Sequence, residues 1–241
     1  MTAIPNQPRL GKLDVHIWQA RLDVEPTVAN RLASRLSPEE LQRASRFVAP
    51  KDRDHFKTSH GILRELLAGY LAAPPAEILL ESGSRGKPAL SASAHNLDLR
   101  FNLSHSHDLA LYAFALEREL GIDVEKIRPS VALEKIEIRY FSAPEHAELN
   151  ALPPELRPEA FFLCWTRKEA YIKARGEGLH IPLDSFHVSL TPGAPAVLHS
   201  PDRERWSIYS LQPPSGFAAA LVVEGNENHL HFHDWRSSAN G

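Results

Sequence analysis

The sequence predicts an α/β (α+β) protein built from two similar halves. Two observations carry that prediction. Strand, helices and strands follow one another twice along the 241 residues, and the halves meet near residues 117–125. Two helix starts also echo each other, Ser37-Pro38-Glu39-Glu40 and Ser142-Ala143-Pro144-Glu145. In each, a serine N-cap precedes a first-turn proline and a carboxylate that complements the helix dipole.

The elements follow in order. Leu13, Val15 and Ile17 alternate with polar neighbours, which predicts a strand over 12–18. The Ser37 cap opens a helix to about Phe47. A second helix spans roughly 51–72, with Phe56, Ile62, Leu63, Leu66, Leu67 and Tyr70 as its apolar members, and Pro74-Pro75 closes it. Strands are expected at 76–81, 97–103, 109–116 and 120–125. Ser142 opens another helix. Pro153, Pro154 and Pro158 precede a long one over 161–176, which Gly176 and Gly178 end. The strands FHVSL, WSIYSL, FAAALVV and HLHFHDW complete the chain, and its last residues read as a disordered tail.

Composition narrows the function. Net charge is -3, with 43% hydrophobic and 24% charged residues. A nucleic-acid binder would carry a basic surplus, so nucleic acid is not the expected partner. No stretch approaches the roughly 20 apolar residues of a membrane helix, and the N-terminus has no apolar core of a signal peptide. The lone Cys164 cannot form an internal disulfide, so the cytoplasm is the expected compartment. The thirteen histidines read as scattered.

Four segments carry chemistry. In LGIDVEKIRP, strand alternation turns Ile122 and Val124 into a core and Asp123 and Glu125 together the other way. Carboxylates two apart on a strand lie roughly 7 Å apart, near enough to share a hard cation; a solvated edge paired with Lys126 and Arg128 fits those residues equally well. On the long helix, Phe162, Trp165, Glu169 and Ile172 form one stripe. A glutamate facing a core needs a partner. Either Lys173 supplies it as an i,i+4 pair, or Glu169 joins Asp123 and Glu125 at a cation while Lys173 faces a phosphate. FNLSHSHD offers Asn102, Ser104 and His105 at a strand end, residue types that suit phosphate. His105 and His107 make only a weak zinc signal, and no serine-hydrolase elbow is present. Arg85 and Lys87 flank Gly86, where a backbone can approach an anion closely.

Together these segments resemble the 4′-phosphopantetheinyl transferase superfamily in its two-lobed, single-chain, surfactin-synthetase-activating branch. The diagnostic motifs are Gly121-Ile122-Asp123-Val124-Glu125 and, about forty residues on, Trp165-Thr166-Arg167-Lys168-Glu169-Ala170-Tyr171-Ile172-Lys173. Gly86-Lys87-Pro88, Phe101 to Ser106 and Gly178-Leu179 support them. The resemblance runs from about Arg43 to Leu190. It implies two lobes related by pseudo-two-fold symmetry, 1–118 and 119–235 with a tail at 236–241. Each is a mainly antiparallel sheet packed with helices, and coenzyme A lies in the cleft between them. It further implies transfer of the phosphopantetheine arm to a serine of an apo acyl- or peptidyl-carrier protein, releasing 3′,5′-ADP. Asp123, Glu125 and Glu169 would hold Mg²⁺, with Mn²⁺ as a substitute. Arg43, Arg85, Gly86, Lys87, Asn102, Ser104, His105 and Lys173 would contact coenzyme A, and Glu169, Lys173 and Asp123 would serve catalysis. Arg43 would meet the 3′-phosphate. A local basic or apolar rim, formed by Arg128, Arg139 and residues of a helix after Ser130, would receive the acidic carrier, and the single-chain form implies a monomer. Two other readings stay open: a Mg²⁺-dependent phosphodiesterase, which needs a basic nucleic-acid surface, and a non-catalytic coenzyme A or carrier-protein binding module, which would retain coenzyme A without turnover.

Overall fold

The computed structural model describes residues 8–82, 88–91, 97–128, 139–176 and 181–236. Chain order is β1 (Asp14–Arg21), α1 (Pro26–Ala33), α2 (Pro38–Ser45), α3 (Pro50–Leu71), β2 (Leu80–Ser82), β3 (Pro88–Leu90), β4 (Leu99–Ser106), β5 (Leu109–Leu116) and β6 (Leu120–Lys126). Then come α4 (Ala143–Ala151), α5 (Arg157–Arg175), β7 (His187–Val188), β8 (Leu198–His199), β9 (Trp206–Leu211), β10 (Phe217–Glu224) and β11 (His229–Asp234). None of the described helices is long and apolar enough to cross a membrane.

The fold is α+β with mainly antiparallel sheets, as the alternating runs predict. β2-β3 and β7-β8 form separate two-stranded pairs; of the two larger sheets, one has strand order β11-β1-β5-β4 and the other β6-β10-β9. Their inner faces meet in a shared core that includes Val15, Ile17, Leu111 and Ala113 from the first and Ile122, Val124, Leu221 and Val223 from the second. The outer face of the first sheet packs on α1 and α3 through Leu32, Ile62, Leu63 and Leu67. That of the second packs on α4 and α5 through Leu149, Phe161, Ala170 and Tyr171. β5 and β10 are therefore covered on both faces, and this explains their nearly unbroken apolar sequence.

Both echoing helix starts are capping boxes. Glu40 N–H donates to Ser37 Oγ at 3.2 Å while Ser37 N–H donates to Glu40 Oε2 at 2.8 Å. Ser142 N–H likewise donates to Glu145 Oε2 at 2.7 Å.

Several expectations need correction. Helix α1 is not legible by periodicity, because Val28 and Leu32 are nearly its only large apolar residues. Of the strand expected at 76–81, only Leu80–Ser82 is strand; Pro75 starts a 3₁₀ turn instead. FHVSL contracts to a two-residue strand. The last strand, expected in the second half, crosses back: β11 runs parallel to β1 of the first sheet, with Asp14 opposite His229 and Trp18 opposite His233. The expected functional positions Arg85, Gly86, Lys87, Gly178 and Leu179, the helix after Ser130 and residues 237–241 lie outside the described residues.

Candidate functional site

The two sheets approach at β4 and β6, and β4 side chains bridge them. Asn102 Oδ1 accepts Ile122 N–H at 2.9 Å, and Ser106 Oγ accepts Lys126 N–H at 3.1 Å. Ser104 Oγ donates to Asp123 Oδ1 at 2.7 Å, and Ser106 Oγ donates to Glu125 Oε2 at 2.7 Å. The FNLSHS segment is thus the frame that fixes both carboxylates of β6. Asn102, read as a phosphate donor, spends its carbonyl oxygen on this strand pairing.

Helix α5 lies directly on β6. A Cβ at Gly121 would fall 2.2 Å from the Ala170 carbonyl oxygen and 2.4 Å from Ala174 N, so no residue with a side chain fits without displacing the helix. That contact brings the second motif over the first. Lys173 Nζ stands 2.6 Å from Asp123 Oδ1 and 3.2 Å from Ser104 Oγ. The Lys173 ammonium therefore turns to β6, and the i,i+4 pairing with Glu169 is not needed to explain it.

The carboxylates are not evenly neutralised. Asp123 is 3% exposed, and its second oxygen, Oδ2, is buried without a hydrogen-bond partner. Burial pushes the Glu169 carboxyl up to about 7; Asp123 and Glu125 add repulsion, and Lys173 opposes them. The Glu125 carboxyl is raised too, by burial first, with the Ser106 hydrogen bond opposing. Three acids crowded into one poorly solvated corner favour a counter-ion. Their oxygens do not all gather within 4.8 Å of one another; among the described residues the group that does is Asp14, His16 and His231.

A row of nitrogen-bearing side chains continues past Lys173. His105 is exposed on one side, but the crowding of its other sides lowers its pKa to about 4, with His60, His55 and Lys173 adding repulsion. His60 stacks on Phe56 at 4.1 Å, and the exposed Arg43 guanidinium lies over the same Phe56 ring at 5.4 Å. Sequence reading missed His55 and His60, which had only their place on α3 to mark them.

It also missed Lys168. Inside the motif this lysine is fully buried, paired with Glu145 at 2.8 Å and donating to the carbonyls of Leu183 at 2.6 Å and Phe186 at 2.8 Å. It ties the capping box of α4 to α5 and is a packing residue, as is the buried Cys164.

A two-lobed α+β protein with a carboxylate and lysine centre at the seam between its sheets is thereby defined. Residues 25–117 match the family model described as 4′-phosphopantetheinyl transferase, N-terminal, and residues 119–222 match that of the 4′-phosphopantetheinyl transferase superfamily. The 4′-phosphopantetheinyl transferase HetI of Nostoc sp. is 41% identical over 226 residues, covering 93% of this chain and 94% of the relative. The 4′-phosphopantetheinyl transferase Sfp of Bacillus subtilis is 31% identical over 172 residues, 71% and 74% of the two chains. A holo-(acyl-carrier-protein) synthase of Bacillus anthracis, solved in complex with CoA (3′,5′-ADP), is 23% identical with a TM-score of 0.39, covering 44% of this chain and 94% of that one. The chain belongs to the 4′-phosphopantetheinyl transferase superfamily. It is a transferase that moves the phosphopantetheine arm to carrier proteins.

Proposed function

We propose that the enzyme binds coenzyme A between lobes that divide near residues 118–119, and that it uses Mg²⁺ to pass the phosphopantetheine arm to the serine of an apo acyl- or peptidyl-carrier protein. The observation that carries this is the buried Asp123 carboxylate. One of its oxygens meets Lys173 and Ser104, and the other has no hydrogen-bond partner. A buried anionic oxygen left in that state calls for a cation.

Asp123, Glu125 and Glu169 are the residues that would hold the ion. Mg²⁺ is hard, prefers oxygen and keeps several waters, so a wide-set group of carboxylates suits it, and Mn²⁺ could substitute. Bound there, the ion would neutralise charge on the pyrophosphate. The chain's own groups do the rest. Asp123, Ser104 and the Ile122 carbonyl, at 3.3 Å, orient the Lys173 ammonium. It is set to meet the phosphate whose charge grows as 3′,5′-ADP leaves. His105, with Arg85, Gly86 and Lys87, would hold the other phosphate oxygens, while Ser104 and Asn102 keep β4 against β6. Arg43, backed by Phe56, would meet the 3′-phosphate. The carrier serine Oγ bonds to the phosphorus bearing the pantetheine arm, the P–O bond to 3′,5′-ADP breaks, and Glu169 accepts the serine proton. One chain supplies all of these groups, so the working unit is a monomer, and Arg128 and Arg139 belong to the rim that meets the carrier.

Intact-mass spectrometry of an apo carrier protein incubated with the enzyme, coenzyme A and Mg²⁺ tests the reading. The expected result is a gain of one phosphopantetheine that EDTA abolishes. A gain indifferent to EDTA would remove the metal from the scheme, and no gain with fatty-acid, polyketide or peptide carriers would remove the substrate assignment.

A further inference from the structure

The last strand carries a pattern that the site above does not use. His229, His231 and His233 alternate along β11 and share one face of it. The parallel register with β1 sets Asp14 beside His229, His16 beside His231 and Trp18 beside His233. Strands from opposite ends of the chain thus bring Asp14, His16 and His231 together, one ligand atom of each lying within 4.8 Å of the others. His231 Nε2 stands 3.2 Å from Asp14 Oδ1, and His229 Nδ1 stands 3.6 Å from the same oxygen. Ligand atoms around a tetrahedral zinc ion are roughly 3.4 Å apart, given bonds of about 2.0–2.1 Å. Asp14 and His231 already have that spacing, and a nitrogen of His16 lies within 4.8 Å of both.

The surroundings hold these ligands as an outer shell does. His16 is 5% exposed, and its Nδ1 lies 2.8 Å from the Tyr70 hydroxyl, which also accepts Trp18 Nε1–H at 2.9 Å. In the tautomer whose Nδ1–H donates to the phenol, the Nε2 lone pair of His16 is free to coordinate, and metal binding at Nε2 would select that tautomer. Gly11 N–H donates to Asp14 Oδ2 at 2.8 Å, which leaves Oδ1 facing the imidazoles. A further imidazole is close by. His233 stacks on Trp18 at 4.5 Å, its ring centre is 5.0 Å from that of His16, and its Nε2 is buried without a hydrogen-bond partner.

We propose that Asp14, His16 and His231 bind a zinc-class transition-metal ion that fastens β11 to β1. Two imidazoles and one carboxylate select zinc, cobalt, nickel or copper over magnesium, which prefers an all-oxygen set. The site is distinct from the carboxylate centre. β11 and β4 are opposite edges of a four-stranded sheet, three strand spacings or about 14 Å apart, and it is β4 that faces Asp123. The fixed strand is an edge strand joined to the sheet on one side only, so a bound ion adds a second attachment.

The test uses the full metal-free chain in excess Mg²⁺, titrated with Co²⁺ and then Zn²⁺. Expected are one tetrahedral Co²⁺ spectrum, its loss when Zn²⁺ displaces cobalt, and a rise in melting temperature with Zn²⁺ that Mg²⁺ does not produce. His231→Ala removes an exposed ligand, so it should fold and bind at least about tenfold more weakly; Asp14→Asn should do the same, and His229→Ala should retain binding. Absence of a tetrahedral Co²⁺ spectrum would overturn the proposal. So would equal Zn²⁺ affinity in wild type, His231→Ala and Asp14→Asn; the cluster would then be only a histidine and aspartate surface patch.

Discussion

The two lobes are built on the same unit and finish it differently. In the first, the capping-box Glu40 of α2 accepts from Arg64 Nε of α3 at 2.7 Å, and Arg64 also donates to the carbonyls of Pro75 at 2.9 Å and Ile78 at 3.1 Å. In the second, the capping-box Glu145 of α4 pairs with Lys168 of α5, which donates to the carbonyls of Leu183 and Phe186. A glutamate follows the base in each helix. Glu65 is met by Arg31, by Arg35 at 2.5 Å and by Trp235 Nε1–H at 3.0 Å. Glu169 has no hydrogen-bond or ion-pair partner among the described residues and lies against two other acids. The repeated unit is scaffold. The second lobe leaves out the cations that the first supplies, and it is there that the proposed metal site lies.

The largest effect should come from Asp123, which has no counterpart in the pairing of the first lobe. Asp123→Ala is expected to abolish phosphopantetheine transfer, because Lys173 and the proposed Mg²⁺ would lose their shared partner. The fold should be kept, since the unsatisfied Oδ2 is lost along with the Oδ1 contacts to Ser104 and Lys173, and Lys173 keeps the Ile122 carbonyl. Turnover near wild type in Mg²⁺ would break the contrast between a structural and a functional lobe.

Next come the two buried bases. Removing the Lys168 side chain leaves Glu145, 1% exposed, as an uncompensated charge, which costs about 3–5 kcal/mol. Arg64→Ala should cost less: Glu145 would keep only the N–H groups of Ser142 and Val188 and the Ser142 hydroxyl, with its side chain 0% exposed, whereas the Glu40 side chain is 13% exposed and also meets His60 Nδ1 at 3.2 Å. Chemical denaturation of Lys168→Ala and Arg64→Ala measures the difference. Equal losses would mean that the lobes are not distinguished by this second partner of Glu40.

The likeness between lobes was only half legible in the sequence, for a physical reason. The serine caps and their glutamates are local signals, so Ser37 and Ser142 could be read. The alternation of Ile122 and Val124 against Asp123 and Glu125 is also local, and it predicted their opposite faces. Arg64 and Lys168 could not be assigned, because a base in a helix looks the same whether it meets solvent or a glutamate from another helix. Gly121 was legible as a motif letter, but its reason lies in the approach of α5. The histidines of β11 were read as scattered because their partner, β1, begins more than two hundred residues earlier. Crossing strands erase such information from any local window.

Glu65 and Glu169 sharpen the comparison further, in opposite directions. The folded Glu169 pKa, about 7, is above the ordinary value of 4.5, so its ionised form opposes folding, and the cost is complete above pH 7. In EDTA at pH 8, Glu169→Gln should therefore stabilise the protein by about 2 kcal/mol while transfer is lost. Glu65→Gln should destabilise it by about 1–2 kcal/mol, since Arg31 and Arg35 lose their counter-charge. Urea unfolding of the two variants side by side would show the opposite signs; two changes of the same sign would mean that Glu169 is not the uncompensated member of the pair.

The smallest effect concerns how each long helix is tied to its sheet by tyrosine. The Tyr70 hydroxyl of α3 meets the uncharged Trp18 indole and His16, whereas the Tyr171 hydroxyl of α5 donates to Asp202. Asp202 also accepts Trp206 Nε1–H at 3.0 Å and Ser200 Oγ–H at 2.9 Å. Burial alone would raise the Asp202 carboxyl, but the hydrogen bonds from Tyr171, Trp206 and Ser200 outweigh it and hold the pKa at about 2. Its folded pKa lies below the unfolded 3.8, so the unfolded chain binds the extra proton first. The resulting stability is present above pH 3.8 and is lost as pH falls towards 2. With a third of the side chain exposed, the contribution is about 1–2 kcal/mol. Asp202→Asn should lose that amount at pH 6 and show no such decline between pH 3.8 and 2, as followed by urea titrations at stepped pH. If the variant kept the acid slope of the wild type, the slope would have to come from other carboxylates, and Asp202 would tie α5 to β9 no more strongly than the neutral Tyr70 contacts tie α3 to β1.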